Sequence, residues 1–571
     1  MKKITAVLLT ATVIFSQLIT LLGCKNTDNT PLISDDTTNQ TTQIPSVQPQ
    51  QPMYNPSKDP NDYDTPIVSA SEFKITCVSY VFAGKTHFID AFESDSGGYA
   101  LILPASIGLE NIALHFNIPK TMKLAAESKK LTNGISFFDF SKDNSITLTY
   151  VDTTEKINEK REFRVYTTDT PIMYLDVDEN LGTIDAMHAD MQKETHCFGV
   201  AYIDSMENSN DVITHFDVHG HGNSTWKNNE KRPYNIKFTD DAEYDSGREI
   251  GVLGMSASSK WCLLADVWDR TLVRNRLAHY LGAQVEMDYA IETRYVHLYL
   301  GSEYKGSYLM TEKAAHVEDE LGLELATGDN MNGSWILEFD NASGQPNQFL
   351  VKNIKVTVKS PIENCNYTAL KKHLTQIHVA LNDPNGYNAN TGKYYYDYMD
   401  LESYAKYILI REFTMDYDTV VDHWAYYDAR DGLLHAGPLW DFDNSMGNSS
   451  KPLYKQTDSL LVLEDTKGPG CWLMKLMEFE KFREILKEQY EKYSYLFDIN
   501  DSRSAYAVFE SWFEEVKPIA ELNDYRWGFI TNSKKPTSFA QDDSRFAIDY
   551  SYVAEFLYER CKAYGKLILG L

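Results

Sequence analysis

The sequence predicts an α+β protein in which a small all-β module precedes a larger domain of mixed strands and helices. Between residues 67 and 170, short runs rich in β-branched and aromatic residues, such as YALILP and SITLTYV, are separated by Gly, Pro, Asn and Asp. This spacing is typical of a small, Ig-like β-sandwich. From residue 171 to residue 571, strand-like runs dominate the first half, and segments with helical spacing of apolar residues, such as LESYAKYILIREF, dominate the second. This segregation indicates an α+β arrangement, in which we expect two lobes.

The composition indicates a large folded protein and argues against nucleic-acid binding. The chain has 571 residues, of which 43% are hydrophobic, so it can bury a sizeable core. Its formal net charge of −28 is spread along the chain. Because phosphate backbones are bound by clustered Lys and Arg, we expect no nucleic-acid partner and interpret the acidity as a solvated surface.

The first residues predict an exported chain. Residues 1–23 combine a basic start, Lys2 and Lys3, with an apolar run and a small final residue, as secretory signals do. The ending Leu-Leu-Gly-Cys resembles the lipobox of bacterial lipoproteins, and this resemblance implies that Cys24 carries lipid and becomes the first mature residue. An ordinary signal or a single membrane anchor is the alternative. We therefore expect an extracytoplasmic protein that contacts the bacterial cell membrane through a lipid anchor only.

Two further segments precede the mixed domain. Residues 24–66 are rich in Thr, Asn, Gln, Pro and Asp and have almost no large apolar side chains, so they are predicted to form a disordered stalk. The β module at 67–170 contains no evident constellation of acids, His or Cys, and we interpret it as a spacer or a binding module. The cysteines beyond Cys24 are scattered without a CxxC pair, which argues against a disulfide scaffold or a zinc site.

Several separated blocks of the mixed domain resemble one family. They are GHGNSTW followed by KRPYNIKF, LLADVWDRTLVRNRLAHYLG, VHLYLGSEYKGSYLMTEK, IREFTMDYD and GPLWDFDNSMGN, in that order. Together they are similar to the CotH family of spore-coat protein kinases over roughly residues 172–571. The resemblance implies an atypical, two-lobed protein-kinase-like fold. It also implies transfer of the γ-phosphoryl group of ATP, with Mg²⁺ or Mn²⁺, to Ser or Thr of an exported protein.

The resemblance assigns roles to three acids. Asp441 matches the family's metal-binding aspartate, and Asp443 is a possible second metal ligand or a structural acid. Asp418 matches the catalytic acid that would orient and deprotonate the acceptor hydroxyl. Without the other blocks, these acids would be interpreted as a solvated loop. Asp416 stands where the family has Asn, and its charge could raise the pKa of Asp418 or add a metal ligand.

The lysine that grips the phosphates has two candidates. Lys237 alternates with apolar residues in NIKF and would lie on one face of a strand, whereas Lys231 lies in the preceding loop. An outward-facing strand lysine is the structural alternative for Lys237. The acid that holds the lysine is expected to be Glu312, with Glu338 as the second choice.

The glycine block is interpreted as a phosphate-facing loop. Gly222 lets the backbone approach a ligand closely, and Asn223 follows it. His221 stands where the family has Arg, and a neutral imidazole cannot hold phosphate as a guanidinium does. His219 and His221 could suggest a metal site, but the sequence offers no third ligand in reach.

The segment VWDRTLVRN also matches family positions, at Asp269, Arg274 and Asn275. We interpret these residues mainly as a buried polar network that joins a helix to a sheet, and a functional role is the alternative.

Two other functions stay open on the sequence. The first is a catalytically inactive CotH-like lipoprotein that binds or adheres at the cell surface, because free ATP is scarce outside a cell. The second is a glycoside hydrolase with a pair of carboxylates, since the chain is rich in Trp and Tyr that could stack on sugars. The family blocks argue against the second.

Overall fold

The computed structural model describes most of the chain after residue 75. The described residues are 76–94, 97–116, 121–126, 128–132, 136–152, 154, 156–207, 210–340, 347–362, 366–417, 423–463, 472–528 and 537–571. The predicted signal, Cys24 with its predicted lipid and the predicted stalk lie outside them, and so does Asp418. Within the part that is described, no helix combines the length and apolar character needed to cross a membrane.

The first part of the structure, up to residue 168, is all β in its described residues. Its strands are β1 (Thr76–Phe82), β2 (Lys85–Asp90), β3 (Phe92–Glu93), β4 (Tyr99–Pro104), β5 (Ile112–Ala113), β6 (Met122–Ala126), β7 (Lys129–Lys130), β8 (Phe137–Phe138), β9 (Ser145–Asp152) and β10 (Ile157–Thr168). They form a six-stranded sheet in the order β3-β4-β10-β9-β6-β7 and two ribbons, β1-β2 and β5-β8. An Ig-like topology for this module stays a prediction.

A closed barrel follows the module directly. Its strands are β11 (Ile172–Val177), β12 (Cys197–Asp204), β13 (Val212–Gly220), β14 (Tyr234–Thr239), β17 (Lys260–Leu264), β18 (Thr293–Leu300) and β19 (Glu303–Glu312), with a short outlying pair, β15 (Ile250–Gly251) and β16 (Ala257–Ser258). The barrel order is β11-β12-β13-β14-β17-β19-β18, and parallel pairing of β11 with β18 closes it. The Tyr299 hydroxyl donates to the Ile102 carbonyl at 2.8 Å, so the barrel packs against the β module.

The third part combines a second sheet with most of the helices. Its strands are β20 (Trp335–Phe339), β21 (Gln348–Val351), β22 (Ile354–Ser360), β25 (His423–Asp428) and β26 (Leu433–Ala436), in the sheet order β21-β22-β20-β25-β26, and a ribbon of β23 (Tyr387–Asn388) and β24 (Lys393–Tyr394). The α-helices of the described chain are α1 (Ile184–Ala189), α2 (Ser224–Asn228), α3 (Arg274–Gln284), α4 (Val317–Leu321), α5 (Thr368–Leu381), α6 (Leu401–Thr414), α7 (Trp472–Leu476), α8 (Glu480–Tyr493), α9 (Ala505–Ser511), α10 (Phe513–Trp527) and α11 (Arg545–Leu569).

The predicted α+β class is confirmed, because helices and strands each account for about 31% of the structure. Helix α6 is the centre of the third part: its N-cap Asp400 accepts the Ser403 N–H at 2.6 Å, and all but one of its residues are buried. It ends where Met415 adopts a left-handed conformation, with φ of 50°. The kinase-like, two-lobed arrangement stays a prediction.

A glycine at the end of β13 gives a test of the barrel's packing. A Cβ at Gly220 would lie 2.7 Å from the ring of Trp226, which is fully buried. We expect Gly220→Ala to lower the free energy of unfolding by about 1–3 kcal/mol through overpacking, as measured by urea denaturation. In a Trp226→Phe background the same substitution should cost less, because the smaller ring leaves room. Equal costs in the two backgrounds would contradict this packing.

Candidate active site

Two acids flank a buried phenylalanine in the loop that follows β26. Phe442 is fully buried, whereas Asp441 is exposed and has a left-handed backbone, with φ of 62°. The Phe442 N–H donates to Asn275 Oδ1 at 2.8 Å, and Asn275 Nδ2 donates to Asp443 Oδ1 at 2.5 Å. Asn275, in the first turn of α3, therefore fixes the position of Asp443.

Asp443 lies close to two more acids from the barrel's end. Burial raises its pKa well above the usual value, and the charges of Asp441, Asp266 and Asp269 raise it further. Burial also raises the pKa of Asp266 to about 8, although Lys231 opposes the shift. The group is thus rich in carboxylates, whose oxygens are the ligands that Mg²⁺ and Mn²⁺ prefer.

Arg274 is a buried cation next to these acids and pairs with one of them. Asp269 forms an ion pair with Arg274, whose Nε donates to the Ser445 carbonyl at 3.0 Å. This contact ties α3 to the loop that carries Asp443. The predicted polar network between helix and sheet is present, and through Asn275 it reaches the acids themselves.

Lys231 lies near Asp266 and Asp443 and is fully buried. Its ammonium donates to the carbonyls of Ala265 at 2.7 Å and Ser307 at 2.5 Å. Burial lowers its pKa to about 7, and Asp266 and Asp443 oppose the shift. Because its ammonium donates to backbone carbonyls, Lys231 contributes positive charge close to the acids. A role of Lys231 in binding phosphate stays a prediction.

The structure also places the end of α6 against this loop. Arg411 Nη1 lies 2.7 Å from Asp416 Oδ2, and both side chains are buried. Arg411 Nη2 donates to the Trp440 carbonyl at 3.0 Å. Arg411 therefore holds Asp416 beside Trp440, the residue that directly precedes Asp441. Asp416, which the sequence suggested as an extra metal ligand, is the partner of Arg411.

A second arginine holds α6 from the other side. Arg560, in α11, is fully buried and donates from Nη2 to the Glu412 carbonyl at 2.6 Å and from Nε to the Phe413 carbonyl at 3.2 Å. These carbonyls belong to the last turn of the helix, where a cation is favourable. Both arginines thus fix the end of α6.

The structure does not bring Lys237 to the acids. Its neighbours Ile236 and Phe238 are buried in the barrel core, so Lys237 points outward. Its ammonium donates to the carbonyls of Tyr244 at 3.3 Å and Asp245 at 2.5 Å.

The two candidate partner acids contact residues other than Lys231 and Lys237. Glu312 accepts the Tyr289 hydroxyl at 2.9 Å, and burial raises its pKa to about 7. Glu338 forms a 2.9 Å ion pair with Lys359.

Three lysines that the sequence did not indicate lie near His221 of the glycine block. Lys193 donates to the Gly222 carbonyl at 2.5 Å and to Asn223 Oδ1 at 3.2 Å. Burial lowers the pKa of His221 to about 3, and the charges of Lys313, Lys193 and Lys359 contribute to the shift. We call this half-buried group of Lys193, Lys313 and Lys359 the lysine cluster. It is a concentration of positive charge in a very acidic protein.

The lysine cluster and the acids are neighbours. The rings of His221 and Trp440 meet edge to face with centroids 6.1 Å apart, and Trp440 directly precedes Asp441. Trp440 also packs against an apolar group that includes Ala314 and Trp424. Cations, a buried apolar group and carboxylates are therefore adjacent.

A comparison with known proteins identifies the family of the chain. A family model described as CotH kinase protein matches residues 218–564, which is more than half of the chain. The match begins in β13, ends in α11 and leaves the β module outside it. No curated protein matches the chain. The chain belongs to the CotH kinase protein family.

Proposed function

We propose that the chain is an extracytoplasmic, lipid-anchored atypical protein kinase that transfers the γ-phosphoryl group of ATP to Ser or Thr of an exported protein. The observation that carries this proposal is the contact between His221 and Trp440, which joins the lysine cluster to the loop of Asp441 and Asp443. Phosphoryl transfer depends on positioning and on neutralising charge, and this arrangement offers both.

The acids fit a divalent cation. The raised pKa of Asp443 reflects carboxylates that lie close together in a poorly solvated place, and a cation would relieve their repulsion. Asp441 and Asp443 would hold the ion, and Asn275 keeps Asp443 in place. When bound, Mg²⁺ or Mn²⁺ would neutralise charge on the phosphate oxygens.

The chain's own side chains would do the rest. The lysine cluster would hold the triphosphate, and the partly exposed ring of Trp440 would face the base. Asp418, assigned from the family resemblance, would accept the proton of the acceptor hydroxyl. The contacts of Arg411 with Asp416 and with the Trp440 carbonyl would keep the end of α6 beside the loop of Asp441.

The cellular location rests on the sequence alone. The signal-like residues 1–23, the lipobox ending at Cys24 and the polar segment 24–66 support a lipid-anchored protein outside the cytoplasm. Mass spectrometry of the mature amino-terminal peptide would test this. A peptide that starts at an unmodified residue other than Cys24 would reject the lipid anchor.

Incubation of the full chain with γ-labelled ATP and Mg²⁺ or Mn²⁺ tests the activity. We expect label to appear on Ser or Thr of the chain itself or of an added exported protein. Asp418→Ala should retain nucleotide binding and lose transfer. If Asp418→Ala transfers label as well as the parent chain, the assigned role of Asp418 is wrong.

One observation favours the second candidate, a CotH-like surface-binding protein without catalysis. His221 replaces the family's Arg, and its half-buried, neutral imidazole lacks the charge of a guanidinium. The two candidates differ in nucleotide binding. A rise in melting temperature with ATP plus Mg²⁺ or Mn²⁺ supports the kinase, and no change supports the surface-binding protein.

Lys313 offers a test of the lysine cluster. We expect Lys313→Met to weaken ATP binding by about 10- to 100-fold, because a charge-assisted contact is worth about 1.5–3 kcal/mol. Isothermal titration calorimetry of the full chain measures the effect, with Lys372→Met on the exposed face of α5 as the matched control. Lys237→Met separates the two lysine assignments. If it weakens ATP binding more than Lys313→Met does, the phosphate contact lies at Lys237.

A further inference from the structure

A group of two histidines and one aspartate lies on the outer face of the barrel. Phe216 and Val218 of β13 point into the barrel core, so Asp217 and His219 point outward. His196 directly precedes β12, which pairs with β13, and it lies on the same outer face. Three side chains from two neighbouring strands therefore meet, although the sequence separates His196 from the other two.

The three side chains are close enough to share an ion. One ligand atom from each residue lies within 4.8 Å of the other two. His196 Nδ1 and Asp217 Oδ1 are 2.5 Å apart, and the rings of His196 and His219 stack with centroids 4.3 Å apart. A tetrahedral ion with bonds of about 2.0–2.1 Å needs ligand atoms only a little more than about 3 Å apart. Small rotations of these partly exposed side chains would supply that geometry.

His219 has a ring nitrogen that is available to a ligand. Its Nδ1 is buried and has no hydrogen-bond partner among the described residues. Its Nε2 lies 3.2 Å from Asn235 Nδ2. If the Asn235 amide is turned over, its oxygen accepts the Nε2–H, which is the second contact that metal-bound histidines usually make. Flipping the Asn235 amide in this way would lose only a 3.4 Å contact from Nδ2 to the Gly220 carbonyl and a weak hydrogen bond from the Cys262 thiol.

We propose that His196, Asp217 and His219 bind a divalent transition-metal ion such as Zn²⁺. Imidazole and carboxylate ligands suit Zn²⁺ and its neighbours better than Mg²⁺, which prefers oxygen alone. Three protein ligands leave one coordination position open for water or an anionic group. This site is separate from the loop of Asp441, and it does not depend on phosphoryl transfer.

The surrounding charges set the strength of binding. Lys193 and Lys313 act on His219 and oppose a cation, whereas the carboxylate of Asp217 favours it. A second group, Asp428, Asp431 and His435, also has suitable spacing. There Asp428 is already held by Arg430 through several hydrogen bonds, so the barrel group is the better candidate.

Titration of the metal-stripped full chain with Co²⁺ tests the site, because tetrahedral Co²⁺ absorbs visible light and Zn²⁺ displaces it. We expect one strongly bound ion per chain, and at least about 10-fold weaker binding in His219→Ala and in Asp217→Asn. His215→Ala is the matched control, since His215 lies on the same face of β13 outside the group. Circular dichroism confirms that each variant is folded.

Three results would overturn the proposal. They are the absence of Co²⁺ and Zn²⁺ binding by the folded parent chain, unchanged affinity in both His219→Ala and Asp217→Asn, and loss of binding in His435→Ala alone. The last result would place the ion in the second group.

Discussion

Asp441→Asn is expected to reduce phosphoryl transfer by about 10³-fold while the protein stays folded. Removing a single group that stabilises developing charge typically costs a factor of about 10²–10³, and the loss of a metal-binding carboxylate should lie at the upper end. Asn tolerates the left-handed backbone of Asp441, so this substitution removes the charge without straining the loop. Transfer of label from ATP measures activity, and titration with Mn²⁺ in the presence of ATP measures metal-dependent binding.

Asp543→Asn is the matched control for Asp441→Asn, because Asp543 is exposed and precedes α11. It should leave both transfer and Mn²⁺ binding unchanged. Transfer in Asp441→Asn that equals that of the parent chain would remove Asp441 from the proposed site. Loss of transfer with unchanged Mn²⁺ binding would place the metal on other acids of the group.

Helix α6 and the loop that carries Asp441 and Asp443 could be predicted because local patterns carry them, and the roles of the acids stay predictions. The apolar spacing of LESYAKYILIREF predicts a helix, and α6 spans Leu401–Thr414. The acids of GPLWDFDNSMG follow a strand, β26, as the pattern indicates. In the structure Asp441 is exposed and Phe442 is buried.

The positions of the lysines could not be predicted in the same way. Lys193 lies in an irregular segment between α1 and β12, and only tertiary packing brings it to Gly222. Lys313 directly follows the predicted Glu312, but no local pattern distinguishes it. Alternation did indicate that Lys237 lies on one face of a strand. Which face is the outer one depends on closure of the barrel, through the parallel pairing of β11 with β18.

The barrel also explains why the histidine group was missed. By sequence, His219 and His221 are the obvious pair, because only one residue separates them. In the structure His221 meets Trp440, whereas His219 stacks on His196 from the neighbouring strand. Strand pairing selects the partner, and a single sequence does not contain that register.

Arg411→Met is expected to lower the free energy of unfolding by about 3–5 kcal/mol, because it leaves the buried carboxylate of Asp416 without its ion-pair partner. Urea denaturation followed by circular dichroism measures the loss.

The double variant Arg411→Met/Asp416→Leu should recover much of the stability, since apolar residues often replace a buried ion pair at little cost. It should not recover phosphoryl transfer, because the bond from Arg411 to the Trp440 carbonyl is still absent. If the double variant regains both stability and transfer, the contact of Arg411 with the Trp440 carbonyl has no part in phosphoryl transfer. If Arg411→Met unfolds at the same urea concentration as the parent chain, the ion pair contributes nothing to the fold.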